Sequence, residues 1–242
     1  MGGGGVQEEV SDMAYTSALI VGAGAGLSAS LARAFAKEGM AVALAARAPD
    51  KLAKLAADIG ARTFECDAAQ RYDVEAVFQA LDDDKRTPDV VVYNASYRTR
   101  GPLIDLDPAE VEKAIAITAF GAFLVAQAAV RRMLPNRHGA VFLTGASAGV
   151  KGYAQSAPFA MGKFALRGLA QSMARELSPQ GIHVVHVVID GGIRSARRQE
   201  APDRPDSLLD PDAIAASYVH LLHQPRNAWS WELEVRPWVE NF

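Results

Sequence analysis

Residues 18–28 read Ala-Leu-Ile-Val-Gly-Ala-Gly-Ala-Gly-Leu-Ser, an apolar run that stops at Gly22 and gives way, from Leu27, to helical spacing. Few local patterns restrict a fold as strongly. Glycines at alternate positions let the backbone turn tightly and approach a ligand closely. The helix that follows then offers unpaired N–H groups and the positive end of its dipole. A strand, a glycine turn and a helix in direct succession form a cradle for the pyrophosphate of a dinucleotide. Gly22, Gly24, Ala25, Gly26 and Leu27 are the cradle residues this reading selects.

The rest of the chain repeats that alternation. Ala18–Val21, Ala41–Ala45, Val90–Tyr93, Ala140–Leu143 and Val184–Ile189 are short apolar runs, as expected of parallel strands covered on both faces. Helical spacing marks Leu27–Lys37, Lys51–Ile59, Val74–Leu81, Glu110–Met133 and Phe159–Leu177. Asp107-Pro108 supplies an N-cap and a first-turn proline, and Ser178-Pro179-Gln180-Gly181 a stop. This order predicts a doubly wound α/β fold, a parallel sheet between two helix layers, in a single domain over residues 14–242. Residues 1–13, with four consecutive glycines, read as a flexible leader. Residues 194–210 lack periodicity and read as a substrate loop, either a lid or a plain solvated connection.

Bulk properties exclude several function classes. A net charge of -3 provides no basic field for nucleic acid. The lone cysteine, Cys66, forbids an internal disulfide and suits a reducing, cytoplasmic setting. The uncharged run 114–130 is short for a bilayer span and is diluted by Ala, Gly, Thr and Gln, so a buried or interface helix is expected rather than a membrane segment. His183 and His186 stand three apart in a strand, on opposite faces, and His220 and His223 have no evident third ligand, so no metal site is expected.

The end of the second strand bears on cofactor choice. An acid there binds the ribose 2′-hydroxyl of NAD, whereas an arginine accommodates the 2′-phosphate of NADP. This chain has Ala46 and then Arg47, which predicts NADP(H).

The glycine turn, Cys66-Asp67, Tyr93-Asn94-Ala95-Ser96, the region 149–177 and Asp190-Gly191-Gly192-Ile193 together resemble the short-chain dehydrogenases/reductases, over about residues 17 to 195. The resemblance implies cofactor contacts at Asp67, Ala68, Asn94, Ala95, Ser96, Lys163, Gly191, Gly192 and Ile193. It also implies a tyrosine general acid/base in a Y-x-x-x-K motif, a serine that polarises the substrate oxygen, an asparagine in a proton relay, and dimers or tetramers of identical subunits.

Here the chain departs from the family pattern. The motif reads Phe159-Ala160-Met161-Gly162-Lys163, so the lysine stays and the tyrosine is Phe159. The serine position falls on Ala146 beside Ser147, and Thr118 replaces the asparagine. Val21 and Ser28 also depart from the glycine-turn pattern TGxxxGxG. Phenylalanine cannot move a proton, and losing a positioned general acid costs about 100- to 10,000-fold in rate. Ser147, Tyr153, Ser156, Tyr97 and Arg98 are the nearby residues that can replace it. The expected function is an NADP(H)-dependent oxidoreductase with an altered proton donor, acting on a small carbonyl, enone or imine. Reduction of a conjugated C=C or an iminium leans less on the tyrosine. The alternative is a catalytically silent NADP(H)-binding protein, a sensor or a non-catalytic subunit.

Two further expectations concern packing. Asp82-Asp83-Asp84-Lys85-Arg86 reads as a solvated helix end. Trp229–Trp238 alternates apolar and polar residues, which predicts a last strand whose tryptophans are buried at a subunit interface.

Overall fold

A computed structural model describes residues 14–240. The expected leader, 1–13, lies outside the described residues. Seven parallel strands form one sheet in the order β3-β2-β1-β4-β5-β6-β7. They are β1 (Ser17–Val21), β2 (Ala41–Ala46), β3 (Arg62–Glu65), β4 (Val90–Tyr93), β5 (Gly139–Thr144), β6 (Ile182–Ile189) and β7 (Glu232–Val235). The helices between them are α1 (Leu27–Lys37), α2 (Ala53–Ile59), α3 (Arg71–Asp83), α4 (Pro108–Ile115), α5 (Gly121–Met133), α6 (Ala157–Leu177) and α7 (Pro211–Leu222).

The pleat of the central strands divides the core in two. Leu19 and Val21 face α3, α5 and α6, packing with Phe78, Val125 and Leu166. Ala18 and Ile20 face α1 and α7, packing with Leu31, Phe35 and Tyr218. Both faces are covered, which is why the central strands are buried at every position and mostly apolar, with Ser17, Thr144, His183 and His186 the polar exceptions. Strand order reverses between β1 and β4, so their carboxyl ends open onto a crevice where doubly wound sheets bind ligands.

Several elements differ from the sequence pattern in instructive ways. The helical run 110–133 is not one regular α-helix. A π-helical turn over Ala116–Phe120 separates α4 from α5. The Tyr93 hydroxyl donates to the Ile117 carbonyl there, and Gly121 lets the chain pass against Tyr93 and Ala68. Asp107 caps α4 as expected, its Oδ1 accepting from the Ala109 N–H at 2.9 Å. Helical structure from Pro108 to Asn136 is long and apolar enough to cross a bilayer by composition, yet 61% of its apolar window is buried inside the fold. The segment 82–86 is more than a solvated end: Asp82 pairs with Arg132 at 2.7 Å and accepts from Thr87, and Asp84 pairs with Arg62.

The last strand is only Glu232–Val235. Its flanking tryptophans have separate fates. Trp229 stacks on His183, with ring centroids 4.6 Å apart, Trp231 packs on the core, and Trp238 is exposed. His183 and His186 each find their own partner, the Ser230 carbonyl and the Glu232 carboxylate, each at 2.9 Å. His223 pairs with Glu38. No group of acids, histidines and cysteine suited to a metal occurs among the described residues.

Candidate active site

Two adjoining clefts open at the carboxyl edge of the sheet and share Asn94 and Ser96. The smaller, about 410 Å³, is lined by Gly22, Gly24, Ala25, Arg47, Asp67, Ala68 and Ala95. The larger, about 940 Å³, takes in Gly26, Leu27, Lys163, Gly191, Gly192 and Ile193. Every residue selected for the cofactor therefore lies on one continuous surface. Sequence reasoning overlooked Lys51, which joins Arg47 in the smaller cleft. Its place four residues after Arg47, opening the next helical turn, was the available signal.

The glycine turn is built as its composition requires. Gly22 has φ +81°, and a Cβ there would collide with the Ala95 backbone. Cβ atoms at Gly24 and Gly26 would meet no protein atom, which leaves room for a ligand. Gly26 caps α1 without a side-chain bond, and no acid occupies the first turn of the helix. That terminus is thus free to receive an anion. Ser28, at a position where the family pattern has glycine, ties the turn to β4. Its hydroxyl donates to the Gly22 carbonyl at 3.2 Å and accepts from the Asn94 amide at 2.7 Å. Asp67 holds its own loop by accepting from the Ala69 N–H. Cys66, buried behind it, has its thiol pushed up to about 12 by burial and then by Asp73 and Asp67, so it is an inert wall.

The larger cleft holds the altered catalytic positions. Phe159 and Lys163 share one face of α6 and are 6% and 3% exposed. The Lys163 Nζ donates to the Thr144 carbonyl at 2.7 Å and sits 5.8 Å from the centre of the Phe159 ring. Burial, with Arg98 adding repulsion, lowers its pKa to about 7. Ala146 is extended and Ser147 begins a short turn, and both line the cleft. Ser156 and Tyr153 line it too, Tyr153 with its ring near the Lys151 ammonium.

Tyr97 is different. Its hydroxyl bonds Glu110, and Lys113 approaches at 3.4 Å, so it is taken up outside the cleft. The next residue points the other way, as neighbours in extended chain do. The Arg98 guanidinium lies flat over Phe159, 3.9 Å from the ring centre. Thr118 is buried in the π-helical turn, where its Oγ1 accepts from the Tyr97 N–H at 3.3 Å. It holds the Tyr97 backbone and does not line the cleft.

The segment 194–210 is pinned at its base by bonds between Arg194 and Leu209 and between Leu209 and Gly192, and its residues Arg194, Ser195, Arg197 and Arg198 form one wall of the larger cleft.

Known proteins agree with this architecture. A short-chain dehydrogenase from Rhodopseudomonas palustris superposes with a TM-score of 0.79 at 34% identity, covering 92% of this chain and 99% of that one. A metagenomic short-chain oxidoreductase, solved in complex with NADP, gives 0.80 at 28% identity and covers 92% and 97%. D-threitol dehydrogenase from Mycolicibacterium smegmatis is 31% identical over 221 residues, 84% of each chain. The sequence pattern of the short chain dehydrogenase family matches residues 16–205, and with that match the chain belongs to the short-chain dehydrogenase family.

Proposed function

We propose that this protein is an NADP(H)-dependent oxidoreductase that transfers hydride to or from a small carbonyl, enone or imine, with Lys163 taking the proton-donor role that Phe159 has given up. The observation that carries this reading is the continuity of the two clefts through Asn94 and Ser96, with a buried amine at the far end. The glycine turn and the open end of α1 suit the pyrophosphate, while Arg47 and Lys51 suit the 2′-phosphate. When bound, the nicotinamide supplies or accepts the hydride.

The chain's own residues then handle the substrate oxygen and its proton. An amine with a pKa near neutrality is well placed for general acid work, because both of its forms are populated at working pH. The Ser147 hydroxyl has no protein partner among the described residues and is free to hold a substrate oxygen. Tyr153, at the exposed mouth, serves as a wall for the substrate. Apolar side chains also bear on assembly. Phe120 and Phe123 on one helical run and Met161 and Phe164 on α6 are 40% to 51% exposed. These two faces are the ones expected to pair in a homodimer or homotetramer.

The test is a fluorescence titration with NADPH and NADH, followed by NADPH consumption across ketones, aldehydes, enones and cyclic imines. Preference for NADPH with consumption of one class supports the proposal. Tight NADPH binding with no consumption moves the assignment to a catalytically silent cofactor-binding protein. Failure to bind either cofactor overturns both.

A further inference from the structure

The lining of the larger cleft has a charge balance unlike the rest of the chain. The protein carries a net charge of -3. Yet Arg98, Arg100, Lys163, Arg194, Arg197 and Arg198 line this one cleft, against the acids Asp190 and Glu240. Asp190 is already engaged by Lys151 and Arg236, and Arg194 is held by Asp210. Among the described residues, no carboxylate pairs with Arg98, Arg100, Arg197 or Arg198. Those guanidinium groups come from two separate walls, the loop after β4 and the segment after β6.

They are close enough to feel one another. Arg100 and Arg198 both lower the pKa of Arg98, after the withdrawal of its guanidinium from water. Arg98 is fixed over Phe159 at 3.9 Å, the ring acting as a platform for the cation. Across the cleft, the Arg198 guanidinium lies against Gly192, where a Cβ would come within 2.8 Å of its Nη1. Cations gathered without a counter-ion repel one another, and an oxyanion placed between them relieves that repulsion. A guanidinium fork matches a carboxylate with two parallel hydrogen bonds.

We infer that the larger cleft recognises a carboxylate-bearing substrate, its carboxylate held between Arg98 and Arg198 and its reactive carbon directed toward Lys163. This deepens the oxidoreductase reading above and rests on it. It also gives Phe159 a positive role: the ring positions Arg98 for the substrate anion.

A non-reactive probe separates binding from turnover. Malonate is titrated calorimetrically into protein saturated with NADP, beside its neutral dimethyl ester, inorganic phosphate and chloride. Malonate is expected to bind at least about tenfold more tightly than the ester or chloride. Arg98→Gln and Arg198→Gln are each expected to weaken malonate about tenfold or more while leaving NADPH affinity within about twofold. Arg98→Lys should recover only part of the loss, because a point charge lacks the fork. The Gln variants are checked for an unchanged melting temperature, and Arg100→Gln provides a second variant on the same wall.

Absence of malonate binding with NADPH binding intact overturns the inference and spares the oxidoreductase reading. Loss of NADPH affinity in Arg198→Gln with malonate binding unchanged assigns the arginines to the cofactor and also overturns it. Phosphate binding tighter than malonate transfers the site to a phosphate ester and overturns the carboxylate assignment. If NADPH fails to bind the wild-type protein, the oxidoreductase reading itself falls.

Discussion

Replacing Lys163 by methionine should change how stability depends on pH, and the size of the change follows from burial. The amine is 3% exposed, makes one bond to the Thr144 carbonyl, and has no carboxylate partner. Burial, then repulsion from Arg98, brings its pKa from 10.5 to about 7. In the folded protein the proton is therefore shed near pH 7, whereas the unfolded chain keeps it to about pH 10.4. Between those values the unfolded state binds more protons, so stability rises with pH. The complete window is equivalent to about 5 kcal/mol, and the portion from pH 6 to pH 9 to about 2 to 3 kcal/mol.

The assay is urea unfolding of the cofactor-free wild-type protein and Lys163→Met at pH 6, 7, 8 and 9. Only the difference between the two proteins is interpreted. Half-buried His138 and buried His183, whose pKa values are lowered chiefly by loss of solvent, titrate in both proteins and cancel. His186 cancels less fully, because Lys163 is one of the charges that lower its pKa. Wild-type stability relative to the variant should climb by about 2 to 3 kcal/mol from pH 6 to pH 9, mostly above pH 7. A flat difference would mean that Lys163 stays protonated in the fold, and the argument for it as a proton donor near neutrality would fail.

Three further outcomes are expected. Arg47→Asp should weaken NADPH by about 10- to 100-fold in a fluorescence titration and NADH by less than about twofold, since it replaces the cation proposed to hold the 2′-phosphate with a carboxylate that repels it. Gly22→Ala should cost at least about 1 to 2 kcal/mol in urea unfolding and weaken NADPH, because φ is +81° and the new methyl meets Ala95. The double variant Phe123→Glu with Phe164→Glu should sediment as a smaller species than the wild-type protein at equal concentration, because both rings lie on the faces proposed to pair.

Much of this was legible because local and tertiary requirements coincide. The central strands are mostly apolar, since both faces of the sheet are covered, and the glycine turn needs Gly22 for its φ and its approach to Ala95. β3 was not legible. Arg62–Glu65 is a half-exposed edge of four residues, where alternation is too brief to register. The π-helical turn at Ala116–Phe120 was also hidden, because it answers to Tyr93, more than twenty residues earlier, rather than to local propensity.

The site divides in the same way. Cofactor residues cluster in short motifs that follow individual strands, so the chain itself displays them. Arg98 and Arg198 are a hundred positions apart and meet only because β4, β5 and β6 are neighbours in the sheet. No spacing rule connects them. Tyr97 and Arg98 were equally plausible beside the end of β4. The turn of the backbone decided between them, sending Tyr97 to Glu110 and Arg98 over Phe159.

The central claim is that hydride moves in this protein despite Phe159, and label transfer tests it most directly. NADPH carrying deuterium at the nicotinamide C4 is incubated with the protein and with ketones, aldehydes, enones and cyclic imines, including members that bear a carboxylate. Products are then read by mass spectrometry. The account predicts deuterium in the product of at least one class, lost in Lys163→Met at neutral pH even at NADPH concentrations that saturate the variant. Tight NADPH binding with no label in any product would contradict it.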